Sequence, residues 1–149
     1  MKIPNGVTSI EPGVFLDCSS LNSIEIPESV ISIGQEAFHG CSSLSSINIP
    51  ESVTYIELAA FQFCRNLSGN IKIPNGITNI AEYTFAECNS LSSIEIPESV
   101  TGIGIDAFWN CSSLSGSMEI PDSVTFIGYR AFGRCSNLSS IKIPKGLTS

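Results

Sequence analysis

Isoleucine followed by proline recurs at Pro4, Pro27, Pro50, Pro74, Pro97, Pro121 and Pro144, a period of 23 or 24 residues along the whole chain. A unit of that size cannot bury its apolar side alone and is stabilised by stacking on the next, so a fixed period in this range prescribes a solenoid. The core of such a chain is a column of side chains that lengthens with each coil. All 149 residues are therefore expected in one solenoid domain of six coils.

Aligned on the prolines, each coil reads Cys-x-x-Leu-x-x-Ile-x-Ile-Pro-x-x-Val-x-x-Ile-x-x-x-Ala-Phe. The Ile-x-Ile pairs, among them Ile24/Ile26, Ile47/Ile49, Ile71/Ile73 and Ile94/Ile96, are β-branched with period 2 and predict a short strand with both side chains inward. Proline ends that strand because it brings no N–H to a ladder. The following Val-x-x-Ile (Val53 to Ile56, for example) fits a bend or a second short extended piece. Phe15, Phe38, Phe61, Phe85, Phe108 and Phe132 form another column, and each lies three residues before a cysteine. That spacing predicts one helical or 3₁₀ turn with both side chains inward, and the phenylalanines are read as the stabilising spine.

Two coils carry an extra residue beside a glycine, Leu67-Ser68-Gly69-Asn70-Ile71 and Leu114-Ser115-Gly116-Ser117-Met118. A glycine next to an insertion before a strand predicts a β-bulge. It is either a tolerated insertion or a local change of curvature that shapes a binding surface.

Cys18, Cys41, Cys64, Cys88, Cys111 and Cys135 occupy one position per coil. Stacked coils lie about 4.8 Å apart, but Cβ vectors pointing the same way are poor geometry for a disulfide. The six are expected to be small core hydrophobes. The formal charge of −7 and only seven lysines and arginines speak against nucleic acid or a polybasic membrane surface. No apolar run approaches the roughly 20 residues of a membrane span, and Met1-Lys2-Ile3-Pro4 enters repeat sequence without a signal peptide. Repeat sequence also runs to the other end, where Ile143-Pro144-Lys145-Gly146 matches Ile3-Pro4-Asn5-Gly6. The expectation is an uncapped piece of a longer array, or a chain whose ends meet another copy.

The residues Cys41-Ser-Ser-Leu44, Ile47-Asn-Ile49-Pro50, Val53-Thr-Tyr-Ile56 and Ala60-Phe61 ahead of Cys64 resemble the BspA-like class of leucine-rich repeats, and the pattern returns in every coil. The resemblance implies a right-handed leucine-rich-repeat solenoid, α/β by convention and mostly β, with a parallel sheet on the concave face. It further implies a cell-surface or secreted location and a role in adhesion or host-protein binding. It carries no catalytic residues and no cofactor.

Nothing in the residues themselves argues for an enzyme. His39 lies in a variable column without a repeated carboxylate or serine partner, and the cysteines lack a histidine at metal or nucleophile spacing. Asn66, Asn110 and Asn137 stand in N-glycosylation patterns that so Ser- and Asn-rich a repeat produces by chance.

The surface free to vary is the outward side of the strands. It bears Glu25, Asn48, Lys72, Glu95 and Glu119 between the isoleucines, and Glu28, Glu51, Glu98 and Asp122 after the prolines. Stacking is expected to bring Glu25 and Glu28 near Glu51, and Glu95 and Glu98 near Glu119 and Asp122. Like charges side by side destabilise unless a cation or basic partner relieves them. The candidate partner is a basic protein segment, with Ca²⁺ a weaker reading, and solubilising surface is the plain alternative. On the return side Tyr55, Leu58, Tyr83, Ile105, Trp109, Phe126 and Tyr129 fall in variable columns. Trp109 is the candidate partner anchor among them. Two functional expectations stand: a protein-binding or adhesion scaffold, and a structural spacer that stacks head-to-tail on other copies.

Overall fold

The computed structural model describes residues 1–148; Ser149, the end of the last repeat, lies outside them. The chain winds as a parallel β-solenoid whose strands all pair with the coil before or after. Two series of strands run along it.

The Val-x-x-Ile segments supply the first series, two residues per coil. These are β1 (Ser9–Ile10), β2 (Ser32–Ile33), β3 (Tyr55–Ile56), β5 (Asn79–Ile80), β7 (Gly102–Ile103) and β9 (Phe126–Ile127). They form two three-stranded ladders, β1-β2-β3 and β5-β7-β9. The inward isoleucines are in register, Ile10 beside Ile33 beside Ile56 and Ile80 beside Ile103 beside Ile127. The expected second extended piece is present.

The Ile-x-Ile segments supply the other series. β4 (Gly69–Lys72) pairs with β6 (Leu91–Glu95), and β8 (Gly116–Glu119) pairs with β10 (Leu138–Lys142). Isolated bridges join Lys2 to Glu25 and Ser23 to Ser46. The predicted bulges are here: the register slips after Gly69, and again between Leu138 and Ser140 opposite Gly116. Gly69 and Gly116 have φ of 81° and 76°, which a residue with a Cβ adopts only at a cost.

The Ala-Phe-x-x-Cys segments differ from the expectation in one respect. Cys41 N–H does bond the Phe38 carbonyl three residues back at 3.2 Å, but Gly40 between them has φ of 72°, so the segment is a β-turn and not helical. The reason is the neighbouring coil. Phe38 N–H bonds Ala60 O at 2.8 Å and Gly40 N–H bonds Gln62 O at 2.8 Å, so alternate amides leave their own coil for the next. A helix would close those donors on itself. Every coil repeats this with two left-handed residues four apart, such as Glu36 and Gly40, Ala59 and Phe63, or Asp106 and Asn110.

Phe38, Phe61, Phe85 and Phe108 are fully buried and stack as expected, neighbouring ring centroids lying 5.3 to 5.6 Å apart. The cysteine column is core from Cys41 to Cys135, while Cys18 in the first coil is exposed. A further column, not singled out from the sequence, ties the coils: Ser29, Ser52, Ser99 and Ser123 each donate Oγ–H to the Val or Ile carbonyl one coil earlier at 2.7 to 2.8 Å.

Candidate functional site

Because the repeat's apolar positions face the core, the residues between Ile24 and Ile26, Ile71 and Ile73, and so on through the stack stand outward in one column. Parallel pairing sets Lys2 opposite Glu25, Lys72 opposite Glu95 and Lys142 opposite Glu119. Unlike charges thus face each other at these three steps.

Glu25 takes an ion pair from Lys2 Nζ at 2.8 Å. Glu51 does not group with Glu28. It turns to the following coil, where Lys72 Nζ donates at 2.6 Å and the Asn75 backbone N–H and Nδ2 each donate at 3.1 Å. The Lys72 bond and the Asn75 amide hold the Glu51 carboxyl below its usual range. Glu95 accepts from the Asn70 side-chain amide. Glu28, Asn48, Glu98, Glu119 and Asp122 are exposed, and none of the four carboxylates among them has an ion-pair partner among the described residues. Glu51 is thus paired within the chain, while Glu98, Glu119 and Asp122 have no ion-pair partner among the described residues.

The Ile-x-Ile strand series is interrupted at both places, between Asn48 and Lys72 and between Glu95 and Glu119. Ile73 N–H bonds Glu95 O at 3.0 Å and Ile120 N–H bonds Lys142 O at 3.4 Å, but the equivalent N–H groups of Ile26, Ile49 and Ile96 have no acceptor among the described residues. β6 pairs only with β4, and β8 only with β10. Between β6 and β8 lies a groove of about 500 Å³ lined by Ile94, Ile96 and Met118 and by the charged side chains of Lys72, Glu95 and Glu119.

Trp109 is not an open anchor. It is half-buried, with the Arg130 guanidinium 4.5 Å and the Arg134 guanidinium 5.1 Å from its ring centroid. Arg130 is fixed in turn by Asp106, 2% exposed, which accepts from Nε at 2.9 Å and Nη2 at 2.6 Å. Gly133 lies against the indole, where a Cβ would collide with the ring. Spacing did not reveal this cluster because Asp106 and Arg130 share a column that holds Gly13, Glu36, Ala59 and Tyr83 in the other coils. Of the return-side apolar groups in variable columns, Tyr55, Leu58, Phe126 and Tyr129 are exposed.

No group of His, Cys, Asp or Glu able to hold a metal ion occurs among the described residues. No helix there is long and apolar enough to cross a membrane. His39 packs edge-on against Phe63, with Nδ1 3.8 Å from Asp17.

The repeat matches the model of the BspA type leucine rich repeat region in six copies, over residues 1–115 and 68–149. No curated protein matches the chain. Among solved structures it is similar to a leucine rich cell surface protein from Faecalibacterium prausnitzii A2-165, at 39% identity and a TM-score of 0.87 over 94% of this chain. It is also similar to the T. pallidum leucine rich repeat protein, at 32% identity and a TM-score of 0.90 over 97% of this chain. The matched regions are 37% and 70% of those two chains. The matches together span the whole of the solenoid built on the Leu, Ile, Phe and Cys columns, and the chain belongs to the BspA-type leucine-rich repeat family.

Proposed function

We propose that the chain is a non-catalytic scaffold of a cell-surface protein that binds a protein partner through the outward side of its strands. The observation that carries this is how the residues are divided. The recurring columns are used by the core and by coil-to-coil hydrogen bonds, and the outward side of the strands is a continuous polar surface whose residues differ from coil to coil. A rigid array of that kind offers many separate contacts whose affinities combine by repetition. The cell-surface description of the F. prausnitzii relative supports the location. Excess acid on the face supports a basic partner, with charge setting on-rate and selectivity.

Binding of the chain to arrayed synthetic peptides of graded charge tests the reading. Retention should rise with positive charge and fall as salt shortens the screening length from about 30 Å at 0.01 M to about 8 Å at 0.15 M. Retention indifferent to peptide charge would refute a basic partner.

One observation favours a second reading, stacking on another copy. Ile3, Pro4, Val7, Ile10, Val14 and Phe15 line an apolar hollow of about 240 Å³ on the first coil. Light scattering that shows mass growing with concentration would support stacking, and a constant monomer mass would exclude it.

A further inference from the structure

We propose that the solenoid is hinged at one junction, between the coil of Pro50 and the coil of Pro74, and that Glu51 is the latch that holds it closed.

The neighbouring junctions show what this one lacks. On the Val-x-x-Ile side, β1-β2-β3 pair before it and β5-β7-β9 pair after it, but β3 does not pair with β5. Thr54 N–H bonds Ile31 O at 2.8 Å and Thr101 N–H bonds Thr78 O at 2.8 Å, whereas Thr78 N–H has no acceptor among the described residues. The strand face is also unpaired here, between Asn48 and Lys72, although Ser23 bridges Ser46 before it and β4 pairs with β6 after it. The serine bond is missing at the same place. Ser52 and Ser99 each donate to the coil before at 2.7 Å, and the position between them is Gly76, which has no hydroxyl. The step between β6 and β8 lacks only its strand pairing and keeps both β7-β9 and the Ser123 bond.

The turn side remains tied. Ala59, Phe61 and Phe63 N–H bond the carbonyls of Glu82, Thr84 and Ala86, each at 2.9 Å, and the Phe61 ring stacks on Phe85. Ser68 N–H adds one bond to Ser45 O at 3.1 Å where the strand side begins. With one side held and two open, the motion of least cost is a small rotation about the turn side. Gly69, with φ of 81°, stands where the chain enters the strand beyond the junction. Val53, Ile56, Ile77 and Ile80 are buried against it, which limits the rotation to angles that keep them packed.

One polar clasp crosses the open side. Glu51 accepts from Lys72 Nζ at 2.6 Å and from the Asn75 backbone N–H and Nδ2 at 3.1 Å, so three side-chain bonds stand where the ladder is missing. Glu51 and Lys72 are both solvent-exposed, so the clasp is weak enough to release and is screened by salt. Glu28 lies on one half, and Glu98, Glu119 and Asp122 lie on the other. The hinge thus sets the spacing between the two exposed acidic stretches of the strand face. It follows from coil-to-coil contacts alone and does not depend on what that face binds.

Spin labels test it in the full chain. Labels on Ile31→Cys/Thr78→Cys span two junctions including this one, and labels on Thr78→Cys/Thr125→Cys span the next two in the same column. Both pairs are made in the Cys18→Ser chain, because Cys18 is the exposed native thiol. Two coils are about 10 Å, a separation that dipolar broadening in continuous-wave EPR reads together with its spread. The first pair should show the wider spread. Glu51→Gln should widen it at least about twofold more and leave the second pair unchanged. Salt at 1 M, where the screening length is about 3 Å, should act as the substitution does. Glu28→Gln should change neither pair, and circular dichroism checks that each variant is folded. Equal spreads in the two pairs, in both the parent and Glu51→Gln, would overturn the hinge, and so would widening of both pairs alike. A wider first pair that ignores Glu51→Gln would overturn the latch.

Discussion

Cys88 donates its thiol hydrogen to the carbonyl oxygen of Phe61 at 3.2 Å, one full coil away. The same bond joins Cys41 to Phe15, Cys64 to Phe38, Cys111 to Phe85 and Cys135 to Phe108, at 3.1 to 3.2 Å. Each thiol therefore needs its proton in the folded state. Burial pushes the Cys41 and Cys135 thiols up to about 11, and those of Cys64, Cys88 and Cys111 higher still. A thiol raised in this way holds its proton in the folded chain after the unfolded chain has lost it. Stability is unaffected below the unfolded thiol value of about 8.5 and declines as pH rises above it, by up to about 1.4 kcal/mol per pH unit for each thiol. With five such thiols, denaturant titrations at pH 7 and pH 10 should show a steep alkaline loss. Cys64→Ala should make the slope shallower, and an unchanged slope would sink the assignment.

The same column predicts thiol reactivity. Cys18 is exposed and the other five cysteines are buried. A thiol reagent at neutral pH should label Cys18 rapidly in the native chain and label the rest only in denaturant. Rapid labelling of a second residue, identified by peptide mass, would mean that the column opens in solution.

Phe61 lies between Phe38 and Phe85, with centroid distances of 5.3 and 5.4 Å and nearly parallel rings. Phe61→Ala empties the middle of the stack and should destabilise by about 3–5 kcal/mol. Phe61→Leu keeps most of the volume and should cost less than the alanine variant. Chemical denaturation measures both, and a loss below about 1 kcal/mol for alanine would show that the column is not tightly packed.

How much of this could be read from the residues follows from what repeats. The period, the Ile, Phe and Cys columns and the bulges at Gly69 and Gly116 were legible because each recurs at a fixed offset. The left-handed backbone was not, because ten of the positions that adopt it carry side chains, including Ala59, Phe63 and Tyr83. Inter-coil hydrogen bonding imposes that conformation against local preference. On the candidate face, the acidic column was legible, but its neutralisation by Lys2 and Lys72 depended on which coil Glu25 and Glu51 turn toward. Trp109 looked like a free anchor because its coverage comes from Arg130 and Arg134, a coil away and at positions that do not repeat.

Glu36 is half-buried with φ of 54°, at the position Gly13 fills in the first coil. The left-handed region costs a residue with a Cβ about 1–2 kcal/mol, and glycine gives back part of that gain through the entropy of the unfolded chain. Glu36→Gly should be stabilising by about 0.5–1 kcal/mol. Glu36→Val, β-branched in the same backbone, should be destabilising. The two midpoints in urea check this, and loss of stability with glycine would show that the Glu36 side chain has a role of its own.

Arg130 and Asp106 should be coupled. The Asp106 carboxylate is buried, its two oxygens are taken by one guanidinium, and that guanidinium also lies over Trp109 and 5.0 Å from the Tyr129 ring centroid. Removing the cation leaves a buried charge without compensation, which is worse than having neither group. Arg130→Ala should therefore lower the melting temperature more than Arg130→Ala/Asp106→Asn does. Asparagine is the suitable partner change because it tolerates the φ of 51° at this position. Arg130→Lys keeps the charge but loses the two-pronged bond and should fall between the parent and Arg130→Ala. Trp109 is the single tryptophan, so its emission reports the cluster directly and should shift in each Arg130 variant. Additive effects of Arg130→Ala and Asp106→Asn, with unchanged emission, would mean that the pair and the ring are independent.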